Sequence, residues 1–280
     1  MISVIVPVKN GLPFLNEQLE ALREQKGSQQ WEVVVADNGS LDQSAEVVRA
    51  LTSTDPRFRL VDASKTSGSS FARNLAAGLA RGDILAFCDA DDVVLPGWVE
   101  SWVRALADAD LAGGMTDFWS LSDGPPPASP IPRPPPVKSQ FGFLEGAMSS
   151  NMAVRREAFE DVGGFDENLA VGEDIDLCWR LQLAGYRFAT GEGVVARRER
   201  SGFRGLLSRS IAYGRCGPVL YQRYRDAGLR PDRRALRAWV WLVLNIPRLI
   251  RTDFRPTWAR VAGWRLGRII ESIRRGVFFP

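Results

Sequence analysis

Ile2-Ser-Val-Ile-Val-Pro-Val8 and Trp31-Glu-Val-Val-Val-Ala-Asp37 are short β-branched runs, and between them Leu15, Leu19 and Leu22 recur at the helical interval. Together they predict a strand-helix-strand unit. Working outward, a third strand is expected at Phe58–Val61, a helix over Ser69–Ala80 and a fourth strand at Asp83–Cys88. This alternation predicts an α/β fold, a Rossmann-like and mainly parallel sheet flanked by helices. In such sheets ligands bind beyond the carboxyl ends of the strands. Asp37-Asn-Gly-Ser40 follows the second strand and Asp89-Ala-Asp-Asp92 the fourth, so both polar clusters are expected on one edge.

Asp89, Asp91 and Asp92 set three carboxylates within four positions, where repulsion is relieved by a cation or by protonation. A hard divalent ion, Mg²⁺ or Mn²⁺, takes oxygen ligands and keeps positions for diphosphate oxygens. On its own the same run also fits a solvated turn with capping aspartates. Further on, Gly172-Glu-Asp-Ile-Asp-Leu-Cys-Trp-Arg-Leu181 places Glu173 and Asp174 at a helix start, where carboxylates suit the helix dipole. One of them could equally face a cleft as a general base.

Several chemistries are excluded. The chain has no histidine, so histidine triads, proton shuttles and histidine metal ligands are absent. It carries neither a GxxxxGK[ST] phosphate loop nor a GxGxxG after the first strand, where Pro7-Val-Lys-Asn-Gly11 stands instead. Its three cysteines, Cys88, Cys178 and Cys216, form no CxxC pair, which fits a reducing cytoplasm. The opening residues read as a strand and not as a secretion signal. The longest apolar run, Ala238–Ile246, is about half of the roughly 20 residues needed to span a bilayer.

Charge divides the chain. Residues 197–280 hold 20 arginines, no lysine and five acidic residues, a net +15, against −12 in residues 1–196. Helices are expected from Phe203 onward. In the last of them Trp258, Val261, Ala262, Leu266, Ile269, Ile270 and Ile273 fall on one face, with Arg260, Arg268, Arg274 and Arg275 opposite. A cationic amphipathic helix with tryptophan on its apolar side suits an anionic membrane surface, and a helix packed on the body with a solvated arginine face is the alternative. Nucleic-acid binding is disfavoured, since the aromatics do not interleave with the basic surface. Eight prolines between Asp123 and Pro136 predict an irregular surface loop.

Taken in order, Val4-Ile-Val-Pro-Val-Lys-Asn10, Val34-Val-Ala-Asp-Asn-Gly-Ser40, Ser70-Phe-Ala-Arg-Asn74, Phe87-Cys-Asp-Ala-Asp-Asp92, Val162-Gly-Gly-Phe-Asp-Glu167 and Gly172-Glu-Asp-Ile-Asp-Leu177 resemble the inverting family 2 of GT-A glycosyltransferases. The resemblance covers about residues 1–200 and implies a GT-A nucleotide-sugar-binding and catalytic domain there, followed by a basic, amphipathic helical region at 201–280. It implies transfer of a sugar from a UDP-, dTDP- or GDP-linked donor to a saccharide or lipid-linked hydroxyl acceptor, with Mn²⁺ or Mg²⁺. By the same resemblance Pro7 and Val8 line the nucleobase pocket, Asp37 binds the base and Arg73 lies near the donor. Asp89 contacts ribose or metal, Asp91 binds the metal, and Asp174 is the catalytic base. The tail is similar to those of bacterial relatives acting on lipid-linked saccharides, which implies a peripheral location at the inner face of the cell membrane.

The chain departs from the family pattern twice. Asn38 stands where many relatives have a second acidic residue, and Ala196 where many have a metal-site histidine. Glu199, Arg197 or Arg200 could substitute for that ligand or its charge. A catalytically weak sugar-nucleotide or membrane-binding module, or a transferase acting on a secondary metabolite, is the alternative function.

Overall fold

The structure, a computed structural model, describes residues 1–118, 120–121, 141–198, 203–231, 235–252 and 254–279. The proline-rich stretch at 123–136, Glu199 and Arg200 lie outside the described residues. The chain divides into two compact units, Met1–Val137 with Glu145–Glu199, and Lys138–Leu144 with Arg200–Pro280.

The first unit is built on strands β1 (Ile2–Val8), β2 (Trp31–Asp37), β3 (Phe58–Asp62), β4 (Ile84–Cys88), β5 (Val93–Val94), β6 (Leu111–Asp117), β7 (Asn151–Arg155) and β8 (Phe188–Ala196). They form one sheet in the order β3-β2-β1-β4-β7-β6-β8-β5. Four of its seven pairings are parallel, and β7 and β5 run against their neighbours. The sheet is thus mixed, with its parallel half at β3-β2-β1-β4, where the expected strand-helix alternation lies.

Helices α1 (Leu15–Arg23), α2 (Ser44–Thr52) and α3 (Ser69–Leu79) connect the parallel strands, and α4 (Trp98–Ala105), α5 (Arg156–Asp161) and α6 (Glu173–Leu183) follow. The leucine spacing of α1 buries Leu15, Leu19 and Leu22 in the core that also holds side chains of β1 and β2, as an amphipathic helix over a sheet requires. Gln18 shares that buried face, and its role belongs to the site below. The reversed direction of β7 matters most for function. Asn151 pairs with Cys88, so the residues leading into β7 arrive at the carboxyl edge of β4, next to Asp89.

The second unit contains α7 (Phe203–Tyr224), α8 (Ala235–Leu244), a 3-10 turn at Ile246–Ile250 and α9 (Arg255–Arg275). Phe141 and Phe143 belong to it, packing against Phe279 and Tyr224 at ring separations of 6.0 and 6.3 Å. Helices α7 and α9 meet backbone to backbone through glycine. A Cβ on Gly214 would lie 2.1 Å from the carbonyl oxygen of Trp264, and one on Gly267 2.1 Å from that of Ile211. Gly263 and Gly267, four residues apart, give α9 the small-residue seam that permits this approach.

That seam corrects the expected place of Arg268 on α9. Ala262 turns into the seam, while Leu266, Ile269, Ile270 and Ile273 point outward. Arg268 is not on a solvated face but buried, its guanidinium 5.0 Å from the Phe279 ring and 5.7 Å from those of Phe141 and Trp264. The helix packs by its narrowest side because backbone contact needs glycine. Bulky aliphatic residues are therefore displaced to the outside.

Candidate active site

The carboxyl edge of the parallel strands carries two groups of side chains. The first sits at the ends of β1 and β2, where Val8 pairs in register with Asp37 and Pro7 with Ala36. Asp37 is half-buried, and its Oδ1 accepts the Ser40 amide at 3.1 Å, closing the turn after β2. Asn38 faces the other way. Its amide nitrogen donates to the carbonyls of Ala63 (2.6 Å) and Thr66 (2.7 Å), while its Oδ1 accepts the Gly68 amide at 2.9 Å. Only a side chain that both donates and accepts makes these three bonds. The asparagine is thus a staple for the loop before α3, and an acid here would meet two carbonyl oxygens.

The second group surrounds Arg73. Its Nη2 donates to Asp89 Oδ1 at 2.7 Å and its Nη1 to Glu173 Oε1 at 3.4 Å, joining the end of β4 to the start of α6. The guanidinium is buried, lies 5.6 Å from the Phe165 ring, and has an Nε with no hydrogen-bond partner among the described residues. Neighbouring Asn74 fixes that ring through bonds to the Phe165 carbonyl (2.8 Å) and amide (2.9 Å). Gly163 and Gly164 turn the chain at positive φ, and Arg180, paired with buried Asp176 at 2.8 Å, holds the carbonyls of Val162 and Gly164. The Asp176–Arg180 pair is therefore architectural.

Asp174 lies in the first turn of α6, after Gly172 in the left-handed conformation. Its Oδ1 accepts the Ile175 amide at 2.8 Å and its Oδ2 the Ser149 amide at 3.3 Å, from the segment delivered by β7. Burial pushes its carboxyl above the ordinary aspartate range, against the pull of these amides and of Arg73. Glu173 is pushed up to about 7, by burial and then by the Asp174 charge. One arginine thus counters three carboxylates.

The aspartate run after β4 divides by environment. Asp89 and Asp91 are half-buried on the edge, while Asp92 is turned inward and accepts the Arg198 amide at 3.1 Å. Burial, then the neighbouring Asp89 charge, pushes Asp92 up to about 8. Gln18 pins the run at both ends, donating to the Asp89 carbonyl (2.9 Å) and accepting the Val94 amide (3.0 Å). Residue-type reasoning missed Gln18, although a glutamine on the leucine face of α1 was its signal.

Ala196, where the family resemblance implies a histidine in many relatives, is buried between Val93 of β5 and Asp117 of β6. Among the described residues no group of three or more Cys, Asp or Glu side chains is set as a cation cage. The donor set nevertheless fits a hard divalent ion, because Asp89 and Asp91 are half-buried carboxylates on one strand edge and the charge of each pushes Asp92 up. The charge of Arg197 acts on Asp92, and Arg198 contributes its backbone amide there. The Arg198 guanidinium is taken by Glu17 at 2.7 Å and by the Phe14 ring at 4.2 Å.

Comparison with known proteins identifies this architecture. The family model described as glycosyl transferase family 2 matches residues 3–163, and a second, glycosyl transferase family group 2, matches 137–266. The chain belongs to glycosyl transferase family 2. It is 30% identical over 261 residues to the pre-mycofactocin glycosyltransferase of Mycobacterium tuberculosis, covering 87% of this chain and 53% of the relative. The chain thus spans about half the length of that relative. Similarity to glycosyltransferase AglE of Haloferax volcanii is 27% over 274 residues, covering 96% and 90% of the two chains. Among solved structures, the mannosyltransferase PcManGT of Pyrobaculum calidifontis in complex with GDP-Man and Mn²⁺ superposes with a TM-score of 0.71 at 20% identity, covering 96% and 86%. The GT-A fold is shared.

Proposed function

We propose that this chain is an inverting glycosyltransferase that moves one sugar from a nucleoside diphosphate-sugar to a hydroxyl of a glycan or lipid-linked saccharide in cell-envelope polysaccharide synthesis. The observation that carries it is Asp174, a carboxylate raised by burial at the start of α6, joined to the β4 edge through its neighbour Glu173, Arg73 and Asp89. A carboxylate so raised is better matched to taking a proton near neutral pH than one at its ordinary value.

Each side chain then has a role. Pro7, Val8 and Asp37 form the nucleobase side of the donor site. Arg73 lies toward the diphosphate, where its charge favours the departing nucleoside diphosphate. Asp89 and Asp91 would hold Mn²⁺ or Mg²⁺, which when bound supplies positive charge to the diphosphate. Asp174 takes the acceptor proton as its oxygen attacks the anomeric carbon from the opposite face, so the enzyme forms no covalent intermediate. Residues 1–200 are assigned this chemistry. Residues 201–280 are assigned to the inner face of the membrane, supported by 20 arginines beyond residue 196 and the exposed aliphatic side chains Val243, Leu244, Ile246 and Ile250.

A catalytically weak nucleotide-sugar-binding module is the second reading, favoured by buried Ala196 and the lack of a three-residue cation cage among the described residues. The test is Asp174→Asn, assayed with a panel of UDP-, dTDP- and GDP-sugars and Mn²⁺. The enzyme loses turnover and keeps donor binding, and its product carries the opposite anomeric configuration to the donor. No turnover by the native chain with any donor favours the module, and a retained configuration rejects inversion.

A further inference from the structure

Beyond α9, a second aliphatic surface occupies the end of α8 and the 3-10 turn that follows. Val240, Val243, Leu244, Ile246 and Ile250 are all exposed, Leu244 to 71% and Ile250 to 84%. Exposed apolar clusters of this kind mark an interaction site when the supporting structure is built and not frayed. Here it is built. Trp258 donates its indole N–H to the Leu242 carbonyl at 3.1 Å, Asn245 is buried and donates to the Trp241 carbonyl at 2.8 Å, and Arg255 donates to the Leu249 carbonyl at 2.9 Å. The Trp241 and Phe254 rings pack at 5.8 Å, tying the end of α8 to the residue before α9.

Charge and dimensions point to the occupant. Residues 235–255 contain four arginines, Arg237, Arg248, Arg251 and Arg255, against one acidic residue, Asp253, and all four arginines are exposed. A second copy of the chain docked symmetrically on this surface would set arginine against arginine. A phospholipid leaflet offers acyl chains for the aliphatic tip and phosphates for the rim. Helix α8 has 10 residues and so measures about 15 Å, half of the roughly 30 Å hydrocarbon core. No described helix is long and apolar enough to cross a membrane. The tip therefore suits the boundary between headgroups and acyl chains.

We propose that the end of α8 and its 3-10 turn form the lipid-inserting element of this chain, with Val243, Leu244, Ile246 and Ile250 entering the acyl boundary of an anionic leaflet and Arg248 and Arg251 on its phosphates. The proposal rests on the reading of a membrane-face enzyme, but vesicle binding requires no sugar transfer, so the two fail separately.

The experiment is co-sedimentation of the full chain with phosphatidylglycerol-containing vesicles and with pure phosphatidylcholine vesicles, without donor. The native chain binds the anionic vesicles. L244S/I250S weakens that binding by at least about tenfold, R248Q/R251Q weakens it selectively for anionic vesicles, and I269S/I273S on α9 stays within about twofold of the native chain. Unchanged melting temperatures identify variants that fold. The proposal is overturned if L244S/I250S binds as the native chain does, if only the α9 variant loses binding, or if the chain is a dimer that L244S/I250S dissociates. Vesicle binding without sugar transfer by the native chain would leave this proposal standing and remove the enzymatic one.

Discussion

Arg73 Nη2 lies 2.7 Å from Asp89 Oδ1, and through Nη1 the same guanidinium reaches Glu173 at 3.4 Å. Breaking a buried pair leaves charge uncompensated, so Arg73→Ala is expected to destabilise the metal-free protein by about 3 kcal/mol. Urea unfolding at neutral pH in chelator measures it. Arg73→Lys retains the charge but not the fork, and should recover only part of the loss.

Asp174→Asn keeps the shape of the α6 start while removing the proposed proton acceptor. Turnover should fall by about 10²–10⁴-fold, with the donor dissociation constant within about threefold of the native value. In the native enzyme, the acidic limb of the kcat/KM profile should fall above the ordinary aspartate pKa, since burial raises Asp174. A midpoint at or below the ordinary value would place the base elsewhere.

The staple made by Asn38 yields a sharp substitution. Asn38→Asp sets a carboxylate against the Ala63 and Thr66 carbonyls in place of two donated bonds, with an expected cost of about 2–3 kcal/mol. Chemical denaturation reads it. Improved stability with an aspartate would show that the loop before α3 is held by other means.

Stability should also respond to pH in a defined direction. Glu173 and Asp92 are held up at about 7 and about 8, so the folded protein keeps protons that the unfolded chain has already released. Their contribution is complete below the ordinary carboxylate range and is lost as pH rises through those values. The melting temperature in chelator should therefore fall between about pH 5 and about pH 8.5. Asp92→Asn should flatten the fall, and Mn²⁺ should oppose it at the alkaline end. A melting temperature that climbs with pH in chelator would contradict the burial of these two groups.

The α7–α9 seam predicts that Gly267→Ala is damaging even though alanine is the better helix former. The new methyl would sit 2.1 Å from the Ile211 carbonyl, and overpacking of this kind costs about 1–3 kcal/mol. Gly205→Ala, where a Cβ meets nothing within 4 Å, serves as the control and should be neutral or stabilising in circular-dichroism melts.

The parallel half of the sheet was legible because β-branched runs and the Leu15, Leu19, Leu22 spacing each imply one local structure and agree with each other. Direction was less so. Nothing in the residues of β7 announces that it opposes β4, and that reversal brings Ser149 to Asp174. That carboxylates stand at the end of β4 and the start of α6 was legible, but the place of Gln18 was not, because a polar residue on an apolar helix face declares itself only when its partners are known. In α9 it was the place of Arg268 that was misread, because periodicity groups residues by hydrophobicity, whereas helix contact here was selected by size. Gly263 and Gly267 outweighed four large aliphatic residues.

Asn38 bears on how the two groups at the sheet edge relate. It bonds Gly68, the residue that opens α3, and Arg73 follows just over one helical turn later. The strand end carrying Asp37 and the guanidinium facing Asp89 are thereby parts of one stiff piece. On the proposed assignment the donor site would work as a ruler, its recognition mark and its charge mark a set length apart, so that a nucleotide would be measured before its sugar is transferred.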